Sequence, residues 1–177
     1  MENPKHIKFT FFSGLVSGLL VCLYLLLLYK LDRNLLFSGY EKLFWVFTSF
    51  FMIFSIQYQR KHFFEHFIGF RDALKIVFRI FIISFILKFV FVYLLFNFID
   101  NELIQISKQQ AIDIFIQYKN PEIPDHLFKE QVAAFSKGNF APTFFEIGLF
   151  FEIMAGFILS ALISFIYKRE KPSLHES

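Results

Sequence analysis

Cysteine is almost missing from this chain. The single one, Cys22, sits inside an apolar run, which excludes an intramolecular disulfide and any cysteine-built zinc site. A lipoprotein cleavage site would need a small residue before it, where Val21 stands, and Leu23 to Leu28 continue the greasy run. Cys22 is therefore expected to be buried and inert. Net charge is scarce as well. At +3 it is too small to imply nucleic acid, and no basic run is long enough or interleaved with aromatics as a nucleic-acid groove would require. Internal repeats and low-complexity tails are lacking. So is an Ala-x-Ala type site after the first apolar run, which also exceeds the roughly 7–15 residues of a secretion-signal core. That segment, preceded by Lys5 and Lys8, reads as a retained first helix.

What is present is apolar and segregated. Hydrophobic residues make up 56% and charged residues 19% of the 177, and the charges gather between four long stretches. These run from about Phe9 to Tyr29, Leu43 to Tyr58, Ile76 to Ile99 and Phe144 to Tyr167. A helix needs about 20 apolar residues to cross the hydrocarbon core. Only helices and closed barrels satisfy their backbone groups there, and nothing in the chain reads as a barrel. The expected fold is all-α: an integral membrane four-helix bundle, one domain over 1–177. Phenylalanine, at 30 residues, is read as lipid-facing bulk in place of leucine.

Positive charge favours both termini in the cytoplasm. That side would hold Lys5, Lys8, Arg60, Lys61, Arg71, Lys75, Arg79, Lys168, Arg169 and Lys171. Lys30, Arg33 and Lys42 on the outer side argue mildly the other way. Tyr29, Tyr40, Trp45, Tyr58, Tyr93 and Tyr167 fall near span ends, as interfacial anchors do. The second span is the shortest, and Lys42 and Arg60 can reach the head groups to offset the mismatch. Arg79 is placed to reach the inner head groups. Arg71, Lys75 and Arg79 recur every four residues, a pattern that fits contact with anionic lipid or a plain topology signal.

Lys61 to Lys75 holds Phe63, Phe64, Phe67, Ile68 and Phe70, too apolar for a free loop. An interfacial segment or short helix is expected there, with Gly69 as a break. From about Asp100 to Thr143 lies the sizeable extramembrane piece. Glu102, Gln105, Lys108, Gln109, Asp113 and Gln117 alternate with Leu103, Ile104, Ala111, Ile112, Phe115 and Tyr118 in the pattern of an amphipathic helix. Asn120-Pro121 and Pro124 break it, and 125–136 reads as a second short helix stopped by Lys137-Gly138. Together they form an outer amphipathic helical hairpin between spans three and four.

The order of four spans, the GFRDALK entry to the third, the outer insert and the ending FFEIMAGFILSALISFIYKREK resemble the bacterial membrane-protein family called domain of unknown function 4199. The resemblance covers nearly the whole chain. It implies a multi-pass protein of the bacterial inner membrane with no assigned activity. It also implies an acidic residue opening the final span, a position that Glu152 matches. Lys88 has no counterpart in the pattern, so its role rests on this sequence alone.

Lys88 and Glu152 are the two ionisable residues deep inside the apolar stretches. They lie about 16 Å and about 12 Å from the same end of their spans, an offset a lysine arm can bridge. A lone charge near mid-membrane costs about 2.5–3.5 kcal/mol on insertion scales, so each should seek a partner. Gly148, Glu152, Gly156, Ser160 and Ser164 form one ridge of the last helix, and Ser84 stands a turn before Lys88. Ser13-Gly14 and Ser17-Gly18 place a GxxxG motif in the first span. Such small residues let helices approach closely, here more readily within the bundle than across a dimer. The expectation is that Lys88 and Glu152 pair, fixing the third helix against the fourth. The alternative is that they bind an ion, a proton or a polar substrate.

His62, Glu65 and His66 match the H-x-x-E-H pattern of inverted zinc peptidases. A third ligand and a water position would also be needed. The short match reads as coincidence. The sequence therefore supports no catalytic residue, no metal and no cofactor, and the chain is expected not to be an enzyme. Its expected role is a structural or accessory membrane component, with a small transporter or channel as the alternative and a membrane metallopeptidase as a remote one. The expected partners are the bilayer and either a second copy or another membrane protein; nucleic acid is not among them.

Overall fold

The computed structural model of the protein describes residues 4–37, 39–117 and 141–169. Five α-helices lie among them: α1 (Pro4–Leu31), α2 (Leu43–Phe63), α3 (Phe70–Leu94), α4 (Glu102–Gln117) and α5 (Ala141–Tyr167). Two short 3-10 turns, Arg33–Phe37 and Tyr40–Lys42, connect α1 to α2, and a π-helical turn, Leu95–Ile99, extends α3. The described residues contain no strand, only an isolated two-residue bridge.

Among the described residues, three helical segments are long and apolar enough to cross a bilayer: Lys5–Leu31, Phe70–Ile99 and Leu149–Tyr167. Their outward faces are greasy. Leu19, Leu23 and Leu27 on α1, Ile86 and Val90 on α3, and Phe151, Ile158 and Leu162 on α5 are all exposed. An apolar surface of that extent is unstable against water and matches lipid. The protein is an all-α membrane protein. The second apolar stretch folds as α2, which at 21 residues is long enough but is not among the segments apolar enough to span. Thr48, Ser49, Ser55, Gln57 and Gln59 dilute it, and its last turn carries Arg60, Lys61 and His62.

Side-chain contacts fix how the helices run past one another. Gln59 near the end of α2 meets Thr10 near the start of α1, so these two are antiparallel. Ser84 of α3 meets Gly14, and Tyr29 meets Asp100, so α1 and α3 run the same way. Lys88 meets Glu152 and Phe78 meets Phe157, so α5 runs back along α3. Helix α3 is the hub, touching α1, α2 and α5. Its buried stripe explains why: Ala73, Ile76, Val77, Ile80, Phe81, Ser84 and Phe85 cover more than one side of the helix. At the end that carries Lys5, Arg60 and Arg169, the backbones of Ile68 and Arg169 exchange two hydrogen bonds of 2.8 and 2.9 Å.

Several sequence expectations are revised here. Of the two forms expected between α2 and α3, the short helix does not occur; residues 64–69 are a non-helical segment. Helix α2 runs on to Phe63 and α3 starts at Phe70, with Gly69 extended at its N-cap. Hydropathy marks only the greasy middle of a helix, so it missed the first turn of α3, where Arg71 and Asp72 point outward and Ala73 is buried. The half-buried Trp45 ring stacks on Phe81 at 5.8 Å with an interplanar angle of 16°, so it packs against α3 as well as lying near the start of α2. Phenylalanine is divided between two duties. Phe50, Phe151 and Phe165 face outward, whereas Phe44, Phe81 and Phe85 are core residues. Cys22 is half-buried rather than sealed, its Sγ 3.6 Å from the Leu87 carbonyl. The amphipathic helix predicted after Asp100 is α4; the second helix, at 125–136, falls outside the described residues.

Candidate functional site

Lys88 and Glu152 come together. Lys88 Nζ lies 2.6 Å from Glu152 Oε1, a charge-assisted hydrogen bond between α3 and α5. The lysine side chain is 13% exposed and the glutamate 35%, so the cation is the more enclosed partner. The Phe44 ring of α2 covers the ammonium from another side, its centroid 4.5 Å from Nζ. Three helices thus converge on one positive charge. The carboxylate and the ring face are both attractive contacts for an ammonium group.

The helices approach closely enough for this because small residues line the seams. Gly156 of α5 faces the Phe81 ring, and a methyl group at residue 156 would overlap that ring. Gly14 and Gly18 of α1 lie against Ile83 and Leu87 of α3. Ser84 donates to the Gly14 carbonyl at 3.0 Å, tying α3 to α1 one turn below Lys88. Ser160 and Ser164 are buried on the same face of α5 as Gly156, each donating to the carbonyl one turn earlier. Gly148 belongs to the same helix, but its surroundings fall outside the described residues.

The H-x-x-E-H residues are arranged differently from a zinc peptidase. Helix α2 ends at Phe63, and Glu65 and His66 both have positive φ, 49° and 71°. His66 therefore does not share a helical face with His62. The His62 ring stacks on Tyr58 at 4.1 Å, with Nδ1 2.9 Å from the Tyr58 carbonyl. Among the described residues no three His, Cys, Asp or Glu side chains are grouped to hold a metal.

A second charged group sits at the opposite end of α1, around Asp100. Arg33 Nε lies 3.1 Å from Asp100 Oδ2 and Nη1 lies 2.6 Å from Glu102 Oε2, while Tyr29 donates to Asp100 at 3.2 Å. Asp100 also accepts from the Glu102 backbone N–H at 3.2 Å, which caps the start of α4. The hydrogen bond to Glu102, followed by the charge of Asp100, raises the Arg33 pKa above its ordinary value. This clasp holds α4 against the turn that follows α1.

Two residues of the Lys88 site escaped the sequence reading: Phe44, as the lid over the ammonium, and Phe81, as the ring that Gly156 accommodates. Both look like ordinary bulk in a phenylalanine-rich chain. The available signal was the spacing of Phe44, Thr48, Met52 and Ser55, a mixed stripe that only an inward face would carry.

No curated protein and no solved structure matches the chain. Residues 8–169 match the family described as "Protein of unknown function (DUF4199)". That match covers the helices and both charged groups described above, and the chain belongs to this family.

Proposed function

We propose that this is a multi-pass membrane protein in which α1, α2, α3 and α5 all cross the bilayer as a four-helix bundle, acting as a non-catalytic structural or accessory component. The observation that carries the reading is how the Lys88 amine is engaged within the bundle. The Lys88 amine is held by a carboxylate at 2.6 Å and covered by an aromatic ring at 4.5 Å. A group so fully engaged serves to fix α2, α3 and α5 relative to one another. A transport site would instead keep a position open for its cargo.

In this reading α2 spans as the shortest member, with Lys42 and Arg60 reaching the head groups. The end rich in Lys5, Lys8, Arg60, Lys61, Arg71, Lys75 and Arg169 faces the cytoplasm of a bacterial inner membrane, and with it both termini. The protein works through its greasy faces, which meet lipid and either a second copy or another membrane protein. The geometry at His62 and His66 supports leaving peptidase activity out.

The test is ion and solute flux in proteoliposomes, run together with the paired apolar replacement Lys88→Met with Glu152→Leu. A scaffold gives no flux above empty vesicles and keeps its fold and its partner in the double variant. Flux that Glu152→Gln abolishes would overturn the reading in favour of a small transporter built on the pair.

A further inference from the structure

The seam between α1 and α2 carries a run of buried polar groups that the Lys88 site does not use. On α1 the inward stripe is His6, Thr10, Ser13 and Ser17; on α2 Gln59, Ser55 and Thr48 are buried on one face, with the apolar Met52 between the last two; none of these polar residues is more than 6% exposed. Thr10 anchors the register. It donates to the His6 carbonyl at 2.9 Å and accepts from Gln59 Nε2 at 2.9 Å. Measured from that level, Ser55 stands about 6 Å, Ser17 about 10 Å and Thr48 about 16 Å further into the bundle.

Five polar atoms along this seam have no protein partner: His6 Nδ1, Gln59 Oε1, Ser55 Oγ, Ser17 Oγ and Thr48 Oγ1. Elsewhere in the fold the inward serines are satisfied. Ser160 and Ser164 bond back along their own helix, and Ser84 bonds to Gly14. Away from water an orphaned polar group is costly, so their concentration in one seam calls for an occupant. The groups offer both donors and acceptors and recur about one helical turn apart. That spacing suits water, which takes 2–4 partners and bridges successive levels.

The polar run stops abruptly. Beyond Ser17 the α1 stripe becomes Val21, Leu25 and Leu28, and beyond Thr48 the α2 stripe reaches Phe44. Phe44 is also the ring over Lys88. We infer that the α1–α2 seam is a one-ended water site: a file of bound water entered beside His6, ending under Val21 and Phe44, with Phe44 separating it from the Lys88–Glu152 pair. This goes beyond the scaffold reading, since a hydrated seam is compatible with a scaffold or a transporter.

The test is water-edited solid-state NMR on the full chain in phosphatidylethanolamine–phosphatidylglycerol bilayers, with labelled serine, threonine and leucine. Magnetisation from water should build up several-fold faster at Ser17, Ser55 and Thr48 than at Leu25, and faster than at the back-bonded Ser164. Equal build-up at Thr48 and Leu25 would overturn the proposal. Thr48→Val and Ser55→Ala give an independent readout. If water holds these hydroxyls, removing them lowers the thermal midpoint; if the seam is dry, deleting an orphan raises it. Ser55→Ala is the smaller change and serves should Thr48→Val fail to fold.

Discussion

Replacing Gly156 by alanine tests the packing on which the Lys88 site depends. The added methyl meets the Phe81 ring, and that ring is poorly placed to retreat. It is stacked on Trp45 at 5.8 Å, on Phe78 at 6.1 Å and on Phe85 at 5.6 Å, with Phe44 at 6.2 Å. Overpacking a filled interior costs about 1–3 kcal/mol. Against this, alanine gains about 1 kcal/mol over glycine in a helix interior. With rings on several sides the clash should fall at the upper end, leaving a net loss of about 2 kcal/mol. The readout is built in. The chain has a single tryptophan, Trp45, and its emission reports directly on the Phe81 stack during denaturant-driven unfolding in detergent. Phe81→Leu should then reverse the sign, making Gly156→Ala favourable in that background because only the helical gain remains. If Gly156→Ala stabilises the otherwise unaltered protein, the ring is free to move and the argument fails.

Lys88→Met alone leaves Glu152 without its cation and should cost stability near the lower end of about 3–5 kcal/mol, given the partial exposure of the carboxylate; adding Glu152→Leu should recover most of it, as equilibrium unfolding would show. Ser84→Ala should cost only about 0.6 kcal/mol, the average for an interhelical hydrogen bond in a membrane, and a loss several times larger would mean that Ser84 does more than bond Gly14. For Arg33 the pKa is raised, so its contribution is complete below the ordinary arginine value and fades only above the raised one. Stability measured from about pH 6 to about pH 9 should therefore show no step that Arg33→Gln removes. Adding zinc should leave no metal bound after desalting, because His62 and His66 do not share a helical face; stoichiometric metal that His62→Ala abolishes would contradict this.

The parts of the fold that sequence reveals are those governed by averages over many residues. Long apolar runs marked α1, α3 and α5, and alternating polar and apolar positions marked α4, because lipid and water sort side chains independently of their neighbours. The Lys88 and Glu152 positions were legible for the same reason: a charge in a greasy run is conspicuous and costly. What averages hide are the exceptions inside a helix. Helix α2 has an outward face of Val46, Phe50 and Phe54 and an inward one of Thr48, Ser55 and Gln59. Its mean hydropathy therefore falls short even though its exposed side is greasy. The helix ends were equally opaque, since Arg71 and Asp72 extend α3 beyond the point where hydropathy falls. Which of 30 phenylalanines would meet Gly156 or Lys88 depends on the rotation of α2 and α3 about their axes, which neither composition nor spacing records.

The paired bonds between Ile68 and Arg169 join the turn before α3 to the residue just past α5. Both partners are main-chain groups, so at the exposed Arg169 most substitutions would leave the buckle fastened, whereas Ile68 is also a buried core residue. Proline is the exception, because it lacks the N–H. At 68 or 169 it would remove one of the two bonds and leave the other, loosening the last helix at one end while the apolar contacts along its length stayed in place.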